Sequence, residues 1–259
     1  MFDRSIVRYL VVAFGFTWVV AFGIIILHRY GHIDSNTRDL LHAIPAFGPA
    51  IGAFAVIPDR HYWARRLTWS NTTRWNWMIV TSPLLFMVSG LLIYGIVRHR
   101  NYDLNQFAVA NFSSLARTAI FWLPLFTYGF FEEIGWRGFL LPRLQKRFTA
   151  WKSTILLTLI WGIWHFPFFF YRFSFSPFIA IGFFFGLWIG AIILTHLLNQ
   201  NRGILWFGIL FHFLNNLASS VEKEITVIVL SIGFMLLAWM IYRRFGPSNL
   251  SSTLRYTEG

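Results

Sequence analysis

The 259 residues include no cysteine, so disulfides, thiolate metal sites and a cysteine nucleophile are all excluded. Acidic residues are scarce: ten Asp and Glu stand against 22 Lys and Arg, and charged residues of both signs make up only 12% of the chain. There is no internal repeat, no low-complexity linker, no H-E-x-x-H zinc motif, no Gly-x-Gly-Asp of the intramembrane aspartyl type, and no serine in a nucleophile-like sequence. What is abundant is apolar. With 56% hydrophobic and 20% aromatic residues and a mean hydropathy of +0.56, the chain is too greasy for a soluble domain. It reads as one all-α polytopic membrane-embedded domain over residues 1–259, its abundant Trp and Phe facing lipid or the interface.

The net charge of +12 does not point to nucleic acid, because the basic residues cluster at the ends of apolar runs, where they set orientation and meet anionic lipid. Eight runs reach or approach the ~20 residues that cross a bilayer as helix: 6–27, 41–57, 75–97, 115–141, 151–171, 178–198, 204–219 and 225–242. The first is too long for a signal-peptide core and is kept as a span. Placing the N-terminus inside assigns fifteen of the 22 Lys and Arg to the cytoplasmic side, which favours eight spans with both termini cytoplasmic. Pro45 and Pro49 with Gly48 and Gly52 predict a kink in the second run. Gly182, Gly186 and Gly190 recur every four residues and read as a packing stripe, and residues 246–259 as a short, polar, flexible tail.

Residues 130–145, FFEEIGWRGFLLPRLQ, break the apolar rule with two adjacent carboxylates, Glu132 and Glu133. The other eight acids lie at the termini or between runs, whereas an ionised side chain in hydrocarbon costs roughly 2.5–3.5 kcal/mol on insertion scales and marks function by default. Glu133 and Arg137 stand four apart with the acid first, the favourable order for a helical ion pair. Glu132 points about 100° away and has no such local partner by that spacing.

Other polar groups inside the runs are His165, in WGIWHFPFF, and His212 and Asn216, in FHFLNN, the last two sharing a helix face. Counting from the basic residue at each cytoplasmic helix end, Arg143 to Glu132, Lys152 to His165 and Arg202 to His212 span 11, 13 and 10 residues. That is about 15–20 Å of helix in each case. A cavity open to the cytoplasm could gather all four. A carboxylate and an imidazole can share the deprotonation of a water, and a second imidazole with an amide can donate to an oxyanion, which are the parts of an amide hydrolase. Glu132, His165 and His212 also form the His₂Glu set of a catalytic zinc site, although Asn216 is a poor zinc ligand. The bland readings stand beside these: Glu133 and Arg137 as a packing ion pair, and His42 and His196 as interhelical hydrogen bonds.

These residues resemble the CAAX-protease and bacteriocin-processing family (CPBP, or Abi), which includes the type II CAAX prenyl endopeptidases. Its pattern is EExxxR, FxxxH and HxxxN on three membrane helices. Glu132, Glu133 and Arg137 match the first, His165 the second with Trp161 in place of Phe, and His212 and Asn216 the third. The resemblance is specific over residues 123–217, within a motif-bearing core of about 115–220. It implies about eight transmembrane helices around a conical, cytoplasm-facing cavity in a bacterial or archaeal cell membrane. Glu132 and His165 would activate water, His212 and Asn216 would hold the oxyanion, and Glu133 and Arg137 would support that geometry. No cofactor is required in this mechanism, with a divalent metal such as zinc on Glu132, His165 and His212 as the variant. The implied partners are membrane lipid and a hydrophobic or lipid-modified polypeptide, CAAX-type prenylated chains included. A non-catalytic immunity or scaffold protein that binds a bacteriocin is the alternative from another class, and a proton-coupled transporter a third, weakened by the lack of paired halves.

Overall fold

The computed structural model describes residues 3–68, 73–173 and 176–257, without the side chains of 177–179. Glu258 and Gly259, the end of the expected tail, and the side chain of Phe178, which opens the sixth run, lie outside the described residues. In chain order the helices are α1 (Arg4–Arg29), α2 (Ser35–Leu41), α3 (Phe47–Val56), α4 (Arg60–Arg66), α5 (Arg74–Arg98), α6 (Leu104–Phe112) and α7 (Leu115–Thr127). The last runs on through a π turn (Tyr128–Glu132), α8 (Glu133–Gly135), a second π turn (Trp136–Leu140) and α9 (Leu141–Gln145). Then come α10 (Ala150–Trp164), a 3₁₀ turn (Phe166–Phe170), α11 (Pro177–Gln200), α12 (Trp206–Val221) and α13 (Ile225–Asn249). Among the described residues there is no strand.

Four of the scarce acids are spent on starting helices. Asp3, Asp34, Asp59 and Asp103 each accept a backbone N–H of the first turn, from Ile6 at 2.9 Å, Thr37 at 2.7 Å, His61 at 2.8 Å and Gln106 at 2.8 Å. Such caps satisfy N–H groups that the helix itself leaves orphaned. At Asp3 the Ser5 hydroxyl and then the Ile6 amide hold the carboxyl below its usual range.

Among the described residues, four helices are long and apolar enough to cross a membrane: Arg4–Arg29, Arg74–Arg98, Ala180–Gln200 and Ile225–Asn249. The other four expected runs are shorter or interrupted, each with a local cause. Pro45 lies in the turn before α3 and Pro49 in its first turn, so the second run is a ten-residue helix rather than a kinked long one. The two π turns interrupt the fourth run. His165 ends α10 ahead of Pro167, and Gly203, at φ 92°, separates α11 from the sixteen-residue α12.

The core is built around the fourth run. Helix α3 packs on α1 and on α8, and α12 packs on α5 and on the first π turn. Gly135 makes the α3 contact possible: a Cβ there would fall 2.6 Å from the Pro49 carbonyl carbon and 2.7 Å from its oxygen. Polar pairs tie the helices elsewhere, as expected where apolar surfaces alone give no preference for protein over lipid. Gln145 and Asn199 exchange amide hydrogen bonds at 2.9 Å, Asn76 donates to Asn201 at 3.0 Å, and Thr154 meets Thr195 at 2.8 Å.

Two expectations need correction. The Gly182, Gly186 and Gly190 stripe meets no other helix among the described residues of this chain, since a Cβ at any of the three would find open space within 4 Å. The C-terminal stretch expected as a free polar tail makes contacts with the bundle as far as Tyr256. Leu250 is buried, Thr253 donates to the Asn199 carbonyl at 2.6 Å, Tyr256 N–H donates to Asn199 Oδ1 at 3.0 Å, and Arg255 Nε donates to the Gln145 carbonyl at 2.8 Å. Buried polar groups at the bundle end supply partners that composition does not reveal. Both ends of the described chain meet there, with the Arg66 guanidinium 4.5 Å from the Tyr256 ring and Arg143 acting on Asp3. The far end is tied by Arg98 to Glu224 and by the Tyr102 hydroxyl to the Val221 carbonyl.

Candidate active site

Glu132 and Glu133 are both buried, at 1% and 0% exposure. Their surroundings differ. Glu133 Oε1 accepts from Arg137 Nη1 at 3.0 Å and from His212 Nδ1 at 2.9 Å, so the expected i, i+4 ion pair is present and an imidazole joins it. Glu132 Oε2 accepts from the indole N–H of Trp136 at 3.0 Å and from that of Trp161. Glu132 has no ion-pair partner at that spacing, as expected; its local partner is a neutral donor, the indole N–H of Trp136 four residues on.

The two histidines are set by the atoms that Nδ1 meets. His165, at the C-cap of α10, has Nδ1 2.8 Å from the Trp161 carbonyl. A carbonyl only accepts, so Nδ1 carries the proton and neutral His165 presents Nε2 as a base. His212 Nδ1 donates to a carboxylate and is protonated by the same logic. It can give a hydrogen bond to an oxyanion only from Nε2 of the imidazolium form, with Glu133 as counter-ion.

The hub is Trp161. Its ring lies 5.8 Å from the His165 ring, 5.8 Å from the His212 ring and 4.3 Å from the Arg137 guanidinium, while its N–H reaches Glu132. Glu132, His165, His212 and Arg137 are therefore gathered around one indole. Asn216 lies one turn further along α12 from His212, half-buried, and its side chain makes no hydrogen bond to another described residue. Helix α12 comes this close because residue 208 is glycine, where a Cβ would lie 3.2 Å from Glu133 Oε2. Sequence reasoning missed Trp136 and Trp161 as site residues. The signal was their i, i+4 spacing to Glu132 and His165, read as filler among thirteen tryptophans.

Of the remaining histidines, His42 Nδ1 sits 2.6 Å from the Tyr171 hydroxyl and accepts the Tyr128 hydroxyl on its carbonyl at 3.1 Å, and His196 Nδ1 meets the Leu250 carbonyl at 2.7 Å. Both are hydrogen bonds between chain segments. As a zinc site, Glu132, His165 and His212 do not converge in this geometry: Glu132 gives one oxygen to two indoles, His212 gives Nδ1 to Glu133, and no three His, Asp or Glu among the described residues are grouped to hold a metal. A polar cavity of about 600 Å³, lined by Tyr94, Arg100, Asp103, Asn111 and Lys223, lies at the far end of the bundle and shares no residue with the site.

Residues 114–218 match the model of the family described as type II CAAX prenyl endopeptidase Rce1-like. Over 121 residues, 43% of this chain, the sequence is 32% identical to CAAX prenyl protease 2 of Methanococcus maripaludis. The match spans 45% of that relative's length. The family match covers the segment that holds Glu132, His165, His212 and Asn216, and with the apolar helices it supports an integral membrane protein.

Proposed function

We propose, from the premise that residues 114–218 are a type II CAAX prenyl endopeptidase-like segment, that this chain is an intramembrane endopeptidase. It hydrolyses a peptide bond in a membrane-tethered polypeptide, with prenylated CAAX-type C-termini as the first substrate class to try. The observation that carries the reading is the unequal treatment of two buried neighbours: Glu133 is held by two cationic-type donors, while Glu132 is held only by indoles and retains an oxygen for chemistry.

In the reaction, Glu132 and the Nε2 of His165 take a proton from water as its oxygen adds to the scissile carbonyl carbon. The carbonyl oxygen becomes an oxyanion, met by Nε2–H of His212 and the amide NH₂ of Asn216. Collapse breaks the C–N bond, and the stored proton passes to the departing amine. Arg137 and Glu133 keep His212 in place. Eight crossings and both termini on the cytoplasmic side complete the proposal, supported by the fifteen of 22 basic residues on that side and by the meeting of both chain ends beside Gln145 and Arg143.

The test is cleavage of quenched peptides, prenylated C-terminal ones included, by the protein in liposomes. Hydrolysis that disappears in Glu132→Gln and survives chelator is the expected result. Loss on chelation with return on added zinc would overturn the metal-free chemistry. Silence across the set from folded protein, with bacteriocin protection that survives Glu132→Gln, would favour the immunity or scaffold alternative.

A further inference from the structure

We infer that Trp161 is a positioning residue for Glu132, fixing which of its oxygens faces the reacting water. The inference rests on the peptidase reading for its kinetic consequence, but the contact itself can be tested without any activity.

Glu132 Oε2 receives two indole N–H groups, one from Trp136 on its own helical stretch and one from Trp161 on α10. One donor leaves a carboxylate free to turn about its last bond. Two donors arriving on one oxygen from different helices hold the group in one orientation, and Oε1 accepts no hydrogen bond from any described residue. The unbonded oxygen is the better placed to accept a proton.

Each indole is itself locked. Trp136 is edge-on to Tyr9 and to Trp164, with ring centroids 5.8 Å away in both cases. Trp161 has the Arg137 guanidinium 4.3 Å from its ring centroid and the His212 ring 5.8 Å away at 72°. A cation over an indole face is an attraction of its own, strongest out of water. Arg137 therefore reaches Glu132 indirectly: it pairs with Glu133, and the same guanidinium steadies the indole that orients Glu132. The two carboxylate networks meet at one ring.

The family pattern has Phe at this position, so Trp161→Phe keeps an aromatic ring and removes only the N–H and the extra ring atoms. If Trp161 were packing alone, the change would act through stability. A lost donor to the reacting carboxylate acts on turnover: kcat should fall about tenfold with KM unchanged and the thermal midpoint in detergent within a few degrees of wild type. Trp136→Phe should cost less than Trp161→Phe, because Trp136 follows Glu132 on one helix and brings no second element to bear. The pair should be non-additive, since both donate to one atom.

The experiment combines these kinetics with fluorine NMR of protein labelled with 5-fluorotryptophan, the Trp136 and Trp161 signals being assigned by their loss in the two Phe variants. Both signals should move in Glu132→Ala while the other tryptophans stay. Signals indifferent to Glu132→Ala would overturn the contact whatever the activity. A Trp161→Phe protein with raised KM and a collapsed midpoint would reduce Trp161 to packing and overturn the positioning role. If wild type cleaves none of the peptides, the peptidase reading fails, and the fluorine shifts still decide the clamp.

Discussion

Glu132 and Glu133 are one residue apart, equally buried, and bonded to opposite kinds of partner. Glu133 meets a guanidinium and an imidazole across α8 and α12; Glu132 meets two indoles from the second π turn and α10. Burying a carboxylate is tolerable when a cation of good geometry answers it, and the result is a fixed strut between helices. A carboxylate held by neutral donors keeps its charge available for a proton. Burial alone thus does not distinguish a reacting acid from a structural one; the charge of the donors does.

The widest break in this comparison should come from Glu132→Gln, which preserves shape and both indole contacts. Peptide hydrolysis is expected to fall about 10²–10⁴-fold with the thermal midpoint nearly unchanged. Glu133→Gln should act first on stability, with hydrolysis falling alongside it as His212 loses its counter-ion. It leaves Arg137 buried without its counter-ion, and a loss of about 3–5 kcal/mol of stability should appear in denaturation of the detergent-solubilised protein. Hydrolysis by Glu133→Gln lost at full stability would erase the distinction between the two acids.

Gly135→Ala sharpens the contrast from the scaffold side. Its Cβ would strike the Pro49 backbone and push α8 off α3, so about 1–3 kcal/mol should be lost and hydrolysis should fall with it, because both carboxylates ride on that stretch. Gly186→Ala is the quiet control. Nothing lies within 4 Å of a Cβ there, and stability and hydrolysis should both stay within about 0.5 kcal/mol of wild type.

Much of this was legible beforehand. Glu133 and Arg137 were paired by spacing alone, because a helix brings i and i+4 together whatever surrounds it. The shared depth of Glu132, His165 and His212 followed from counting residues to basic helix ends, and the three now surround one indole. Other features escaped for physical reasons. Helix α6 went unread although Asp103 and Gln106 spell a cap, since its apolar content is too short to register as a run. Gly182, Gly186 and Gly190 looked like a packing surface, but a glycine period states what could approach and not what does. The docking of residues 249–257 depends on Asn199 and Gln145, polar groups fifty or more positions away that no local pattern connects to it. Trp161 reads in the motif as an aromatic ring, and only the fold shows its N–H meeting Glu132.

The two π turns on either side of α8 carry a consequence for how this segment tolerates change. Each accommodates one residue more than an α turn, so the carboxylates are rotated by about 100° relative to each flank compared with an unbroken α-helix. The helical rod is, in effect, phased in three independent sectors: a lipid-side shaft, a central dial bearing Glu132 and Glu133, and a proline-bearing foot. Removing Gly129 or Gly138 alone would leave a continuous helix of almost the same length and turn the dial relative to one neighbour. The mutation to which the site is most exposed is therefore the loss of a single residue inside the rod, which alters no functional side chain and yet aims both carboxylates elsewhere.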